Sequence, residues 1–83
     1  MGVAERQSLA ESFVVAAGKL DSGVDRRQVD EYLRTAVARQ PTSGQWAEEF
    51  TKIIETAASP DAVIYANNLR LIAQGLKAGD QKQ

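Results

Sequence analysis

Any chemistry in this chain falls to hydroxyls and carboxylates, because its 83 residues include no His and no Cys. Without imidazole the usual general base and metal ligand are missing, and without a thiol there is neither thiolate catalysis nor a disulfide. Ser8, Ser12, Ser22, Ser43 and Ser59 therefore lack the partner that would activate a nucleophile, and four of the five fit helix caps or turns. Glu48 and Glu55 are seven apart and share a helical face, but paired carboxylates do acid–base work only where a pocket perturbs them. They fall opposite Trp46 and Phe50, on the expected solvent face, with Lys52 placed four residues after Glu48 for a routine surface pair. Carboxylates alone are a poor zinc site, and no Gly-rich loop has the spacing of a phosphate cradle. The expectation is a chain that is not an enzyme, with no cofactor and no metal.

The formal net charge of −1 and the mixed signs supply no basic field of the kind that nucleic acids require. Arg26, Arg27, Arg34 and Arg39 are interleaved with Asp25, Asp30 and Glu31, which nearly cancel them. Were the second and third segments a helix-turn-helix, Glu48 and Glu49 would stand near the front of the reading helix and repel phosphates. A nucleic-acid-binding regulator is thus an alternative rather than the first reading. No run of about twenty apolar residues is present to span a membrane, and the first residues lack the pattern of a signal peptide. A cytoplasmic protein is expected, and the initial Met and polar tail suit a complete chain.

The elements that must position any functional surface are helical. Hydrophobic residues at 43% and charged residues at 25% are ordinary globular values. Ser8 and Glu11 have capping-box spacing, and Leu9, Phe13, Ala16, Ala17 and Leu20 follow on one helical face up to Gly23. Asp25 caps a second segment, with Gln28 at the capping-box position, a stripe of Val29, Tyr32, Leu33, Ala36 and Val37, and Pro41 as its stop. A third starts near Thr42 or Ser43 and buries Trp46, Phe50, Ile53, Ile54 and Ala57. Ser59-Pro60-Asp61 reads as cap, first-turn proline and acidic first-turn residue of a fourth, running to about Lys77 with Gly79 as its end. No sustained alternation supports a strand. The fold expected is all-α, one domain over 1–83, with 1–7 either extending the first helix or fraying and 80–83 a loose tail. Short connections favour sequential antiparallel neighbours in a compact four-helix bundle, with an orthogonal arrangement as the alternative.

One helix carries more apolar surface than its core stripe needs. At 100° per residue, Ala62, Ala66, Leu69, Ile72, Ala73 and Leu76 gather on one side of the fourth helix, while Ile64 and Leu71 fall together nearly opposite. Asn67, Asn68 and Gln74 flank that second patch, and Arg70 completes a polar rim. Such a helix is either enclosed by the others or presents one face to a partner, another protein or a second copy of the chain. Val15 is a lesser case on the first helix. Gly18 and Gly75, inside helical patterns, each cost about 1 kcal/mol relative to Ala, which either close helix packing would offset or a fraying last turn would make harmless. The sequence thus points to a small interaction module: an adaptor, inhibitor, chaperone or assembly subunit acting through a helical surface.

One resemblance bears on a third possibility. Asp21-Ser22 is similar to the start of the Asp-Ser-Leu motif at which acyl carrier proteins attach phosphopantetheine to the serine of a helical domain. Here Gly23 replaces the Leu and the long loop before the motif is missing, whereas a helix C-terminus accounts for the same residues. A helical carrier-type domain stands as the alternative that this resemblance implies.

Overall fold

Side-chain carboxylates mark the starts of three of the four helices, where free backbone amides need partners. A computed structural model describes residues 2–81, with only the backbone of residues 79–81, and divides them into α1 (Val3–Asp21), α2 (Arg26–Ala38), α3 (Ser43–Ala57) and α4 (Ala62–Gln81). No strand occurs among the described residues, and the chain is the all-α four-helix bundle expected of it. Asp25 caps α2 as expected, its Oδ1 accepting from the Arg27 amide at 2.9 Å. Gly23, at φ 89°, supplies the left-handed residue that turns the chain between α1 and α2.

Both ends of α4 differ from the sequence expectation, and α1 takes the extension before Ser8 that the sequence left open. Helix α1 starts at Val3, because the Glu5 carboxylate accepts from the Gly2 amide (3.2 Å) one turn before Ser8. The Ser8 hydroxyl, no longer a cap, accepts from Gln40 Nε2 at 3.2 Å. In α4 the cap is Asp61, not Ser59. Asp61 Oδ1 accepts from the amides of Val63 (2.9 Å) and Ile64 (3.3 Å), while the Ser59 hydroxyl accepts from Asp61 N and places Pro60 before the helix. A carboxylate at that point satisfies two free donors and faces the positive end of the helix dipole. At the other end α4 passes through Gly79 to Gln81, because Gly79 keeps helical backbone. Lys82 and Gln83, the end of the tail expected to fray, lie outside the described residues.

The core is one cluster to which all four helices contribute, with Phe13, Leu33, Phe50 and Leu69 among its buried members. Trp46 meets Phe50 edge-on at 5.0 Å, and Phe50 meets Phe13 at 6.2 Å, so α3 reaches α1 through aromatic contact. Helix α1 packs most extensively against α4, and of the three sequential pairs α3 and α4 touch least. Sequential pairing, expected from the short connections, therefore fails at the last step. The buried faces of α1 and α4 are rich in small residues (Ala10, Ala16, Ala17, Ala66 and Ala73), which allow their axes to approach closely. Ala58, extended at ψ 137°, starts the connection to α4, and Arg26 Nη1 holds the Ser59 carbonyl at 3.2 Å.

A polar clasp joins the starts of α1 and α3. Glu5 Oε2 accepts from the Thr42 hydroxyl (2.6 Å) and amide (3.2 Å), and Thr42 Oγ1 accepts from Trp46 Nε1 at 2.8 Å. The Thr42 hydroxyl first, and the Gly2 and Thr42 amides after it, hold the Glu5 carboxyl below the usual carboxylate range. A lowered folded-state value contributes stability that is complete above the ordinary carboxylate pKa and is lost as pH falls through the folded value. In thermal unfolding followed by Trp46 fluorescence, wild type should melt above Glu5→Gln at neutral pH, and the gap should close in acid. A gap that is unchanged down to strongly acid pH would show that the clasp does not depend on the charge.

Tyr65, absent from the expected stripe, is buried on α4 with a hydroxyl that has no hydrogen-bond partner among the described residues. Burial, chiefly, raises its phenol above the ordinary value; Asp30 adds to the rise, while Arg34 and Arg26 oppose it. Removing an unsatisfied buried hydroxyl relieves its desolvation cost, so Tyr65→Phe should keep the fold and gain up to about 1 kcal/mol in urea unfolding. A loss of that size would mean the hydroxyl is satisfied in solution.

Candidate functional site

Because α4 is committed to α1, its flank facing α3 is only loosely covered. Asn68 makes the polar tie across that seam, its Nδ2 donating to the Ala57 carbonyl at 3.0 Å. Beside it opens a groove of about 440 Å³, lined by Lys52, Ile53 and Thr56 of α3 and by Asn68, Leu71 and Ile72 of α4. Polar groups in its walls are already engaged: the Thr56 hydroxyl donates to the Lys52 carbonyl at 2.9 Å, and the Asn68 amide is held by Ala57. What remains for an occupant is mainly the Thr56 methyl, the aliphatic side chains and the Lys52 ammonium.

The second apolar face of α4 is on the surface. Ile64 is 51% exposed and Leu71 63%, so α4 is not enclosed by the other helices. Asn67 and Gln74 are exposed beside them, and Asn68 is half-buried in the groove. Arg70 points away from the patch: its Nη2 makes an ion pair with Asp21 at the end of α1, and its Nη1 donates to Asn67 Oδ1 at 3.3 Å. The six residues singled out from sequence thus lie along one side of α4, with Arg70 at its far edge, turned towards α1.

Two apolar neighbours were missed. Ile53, assigned to the buried stripe of α3, is 38% exposed and forms the opposite wall of the groove, while Ile54 is buried. Adjacent residues on a helix differ by 100°, so an Ile-Ile pair cannot send both side chains to the centre of one core, and this was the available signal. Val63 is also exposed beside Ile64. Close packing does not account for the helical glycines either: a Cβ added at Gly18 or Gly75 would meet nothing within 4 Å.

Elsewhere the polar side chains serve mainly structural contacts. Ser22 follows α1, and its hydroxyl donates to the Gly18 carbonyl at 2.9 Å. Arg34 bonds Asp30 (2.8 Å) and reaches Glu55 (3.6 Å), and Asp30 first of all raises its pKa. Glu48 and Glu55 are both exposed. A larger cavity of about 520 Å³ lies between α1 and α2, lined by polar residues that include Ser12, Gln28, Glu31, Thr35 and Arg39 together with Tyr32 and Ala36. Among the described residues no group of three or more acidic side chains is placed to hold a metal ion, and no helix is long and apolar enough to cross a membrane.

Exposure separates the groove from the core in energetic terms. Leu71→Ser should change stability by no more than about 0.5 kcal/mol, whereas Leu69→Ala, two residues earlier and fully buried, should cost about 2–5 kcal/mol. Urea unfolding of the two variants checks this, and equal losses would mean that Leu71 belongs to the core. No family model, curated protein or solved structure matches this chain.

Proposed function

We propose that this chain is a small non-enzymatic interaction module, an adaptor, inhibitor, chaperone or assembly subunit, that works in the cytoplasm through the outer face of α4 and the groove beside it. The observation that carries the reading is the pairing of exposed Ile53 and Leu71 in the groove of the loosely packed α3–α4 seam, with exposed Ile64 two turns before Leu71 on the outer face of α4. A seam between two helices with apolar walls and few free hydrogen-bonding groups accepts an amphipathic helix, whose own backbone is already satisfied. The chain's lack of His and Cys supports binding over catalysis, and its lack of disulfides supports a reducing compartment.

The test is a tagged pull-down from the host lysate with Ile64→Glu/Leu71→Glu as parallel bait, after circular dichroism has established that the variant folds. A protein held by wild type should be lost by the variant, because a charge buried in the centre of such a contact costs at least about 2 kcal/mol, roughly thirty-fold in affinity. Equal capture by both baits would move the binding surface off α4.

A further inference from the structure

We infer that the occupant of the outer face of α4 is a second copy of this chain, related by a two-fold axis beside Leu71 so that the two α4 helices lie antiparallel. The inference rests on the reading of that face as an interaction surface. In an isologous contact the same patch must complement itself, so residues equally spaced before and after the axis meet. About Leu71 this places Ile64 against Ala78, Asn67 against Gly75, and Asn68 beside Gln74. Large side chains then face small ones at the two outer pairs, and two amides stand side by side near the centre.

Charge supports the same occupant. A self-contact brings like charges close to one another, and between Asp61 and Lys77 the single charged residue is Arg70. Asp21 draws that guanidinium towards α1, leaving the exposed face with Val63, Ile64, Asn67, Leu71 and Gln74, all uncharged. On the neighbouring flank α3 offers both signs, Lys52 and Glu49, so two copies meet there without net repulsion.

The spacing fits helix against helix. Ile64, Leu71 and Ala78 recur every seven residues with Gly75 between the last two, so they fall on one edge of the helix, as a helix-on-helix contact requires. Gly75 lies in open space, so packing within one chain gives no reason for a glycine inside α4. A second helix approaching closely at that position does. With 20 residues α4 is about 30 Å long, enough for several turns of one helix to lie along its copy.

Sedimentation equilibrium at high-micromolar concentration should give a mass about twice the 9.0 kDa of one chain, and Leu71→Glu, with unchanged circular dichroism, should give the single-chain mass. Because the chain has no Cys, single cysteines report the register. On mild oxidation Leu71→Cys should form a covalent dimer, while Ile64→Cys should not, since its two copies stand about 20 Å apart along antiparallel helices. A wild-type monomer at that concentration, a Leu71→Glu variant that still dimerises, or equal cross-linking of both cysteines would overturn the inference. If the wild type is monomeric yet binds another protein that Ile64→Glu/Leu71→Glu releases, this inference fails and the interaction reading stands.

Discussion

The contact between α1 and α4 sets the rest of the arrangement. These are the two longest helices, 19 and 20 residues, and their buried faces combine alanines with a few large side chains such as Phe13, Tyr65 and Leu69. Small residues bring the axes close, and close axes bury long strips of both helices. Once the inner side of α4 is occupied by α1, the bundle leaves little for α3 to cover. Helix α3 instead reaches the core through Trp46 and Phe50, the first edge-on to the second and the second tilted against Phe13 on α1. The sparse α3–α4 seam is thus a consequence of where the alanines and aromatics lie, and the groove beside Asn68 is its geometric result.

Local signals in the sequence resolved what is local. Periodicity defined four helices and most of the buried positions, and it separated Ile64 and Leu71 from the core stripe of α4, where they are indeed exposed. What it could not resolve depended on distant partners. Ser8-Glu11 and Gly2-Glu5 have the same spacing, and the second governs the start of α1 because Glu5 also meets Thr42, 37 residues away. Ile53 and Ile54 both fit a broad apolar stripe, and the weak contact of α3 with α4 decides which of them faces water. Tyr65 falls between Ile72 and Leu76 on the helical wheel, so its place in the core was legible in the periodicity; that its hydroxyl is buried without a partner among the described residues was not.

Polar engagement shapes the surface as much as burial does. The Thr42 hydroxyl serves Glu5 and Trp46, the Asn68 amide serves Ala57, and Arg70 serves Asp21. Each of these groups would otherwise demand a hydrogen bond from whatever covered it, at a desolvation cost of about 1–3 kcal/mol if left unmet. Because the bundle satisfies them internally, the exposed side of α4 makes few polar demands on a partner. In the proposed contact the exposed amides of Asn67 and Gln74 would add geometric selectivity, while Leu71 and Ile64 would provide the apolar area.

That combination also explains why such a face is compatible with a small, marginally stable domain. Ile64 and Leu71 on the outer side of α4 add almost nothing to the core, so their replacement by polar residues would leave folding nearly unaffected. In water they are an association liability, since each buried square ångström of apolar surface is worth about 25 cal/mol to whatever covers it. Two aliphatic residues seven apart, bordered by uncharged amides and by an arginine turned aside to Asp21, form a helix-wide apolar strip that folding does not require. A covering chain gives that strip a physical role that the bundle alone does not.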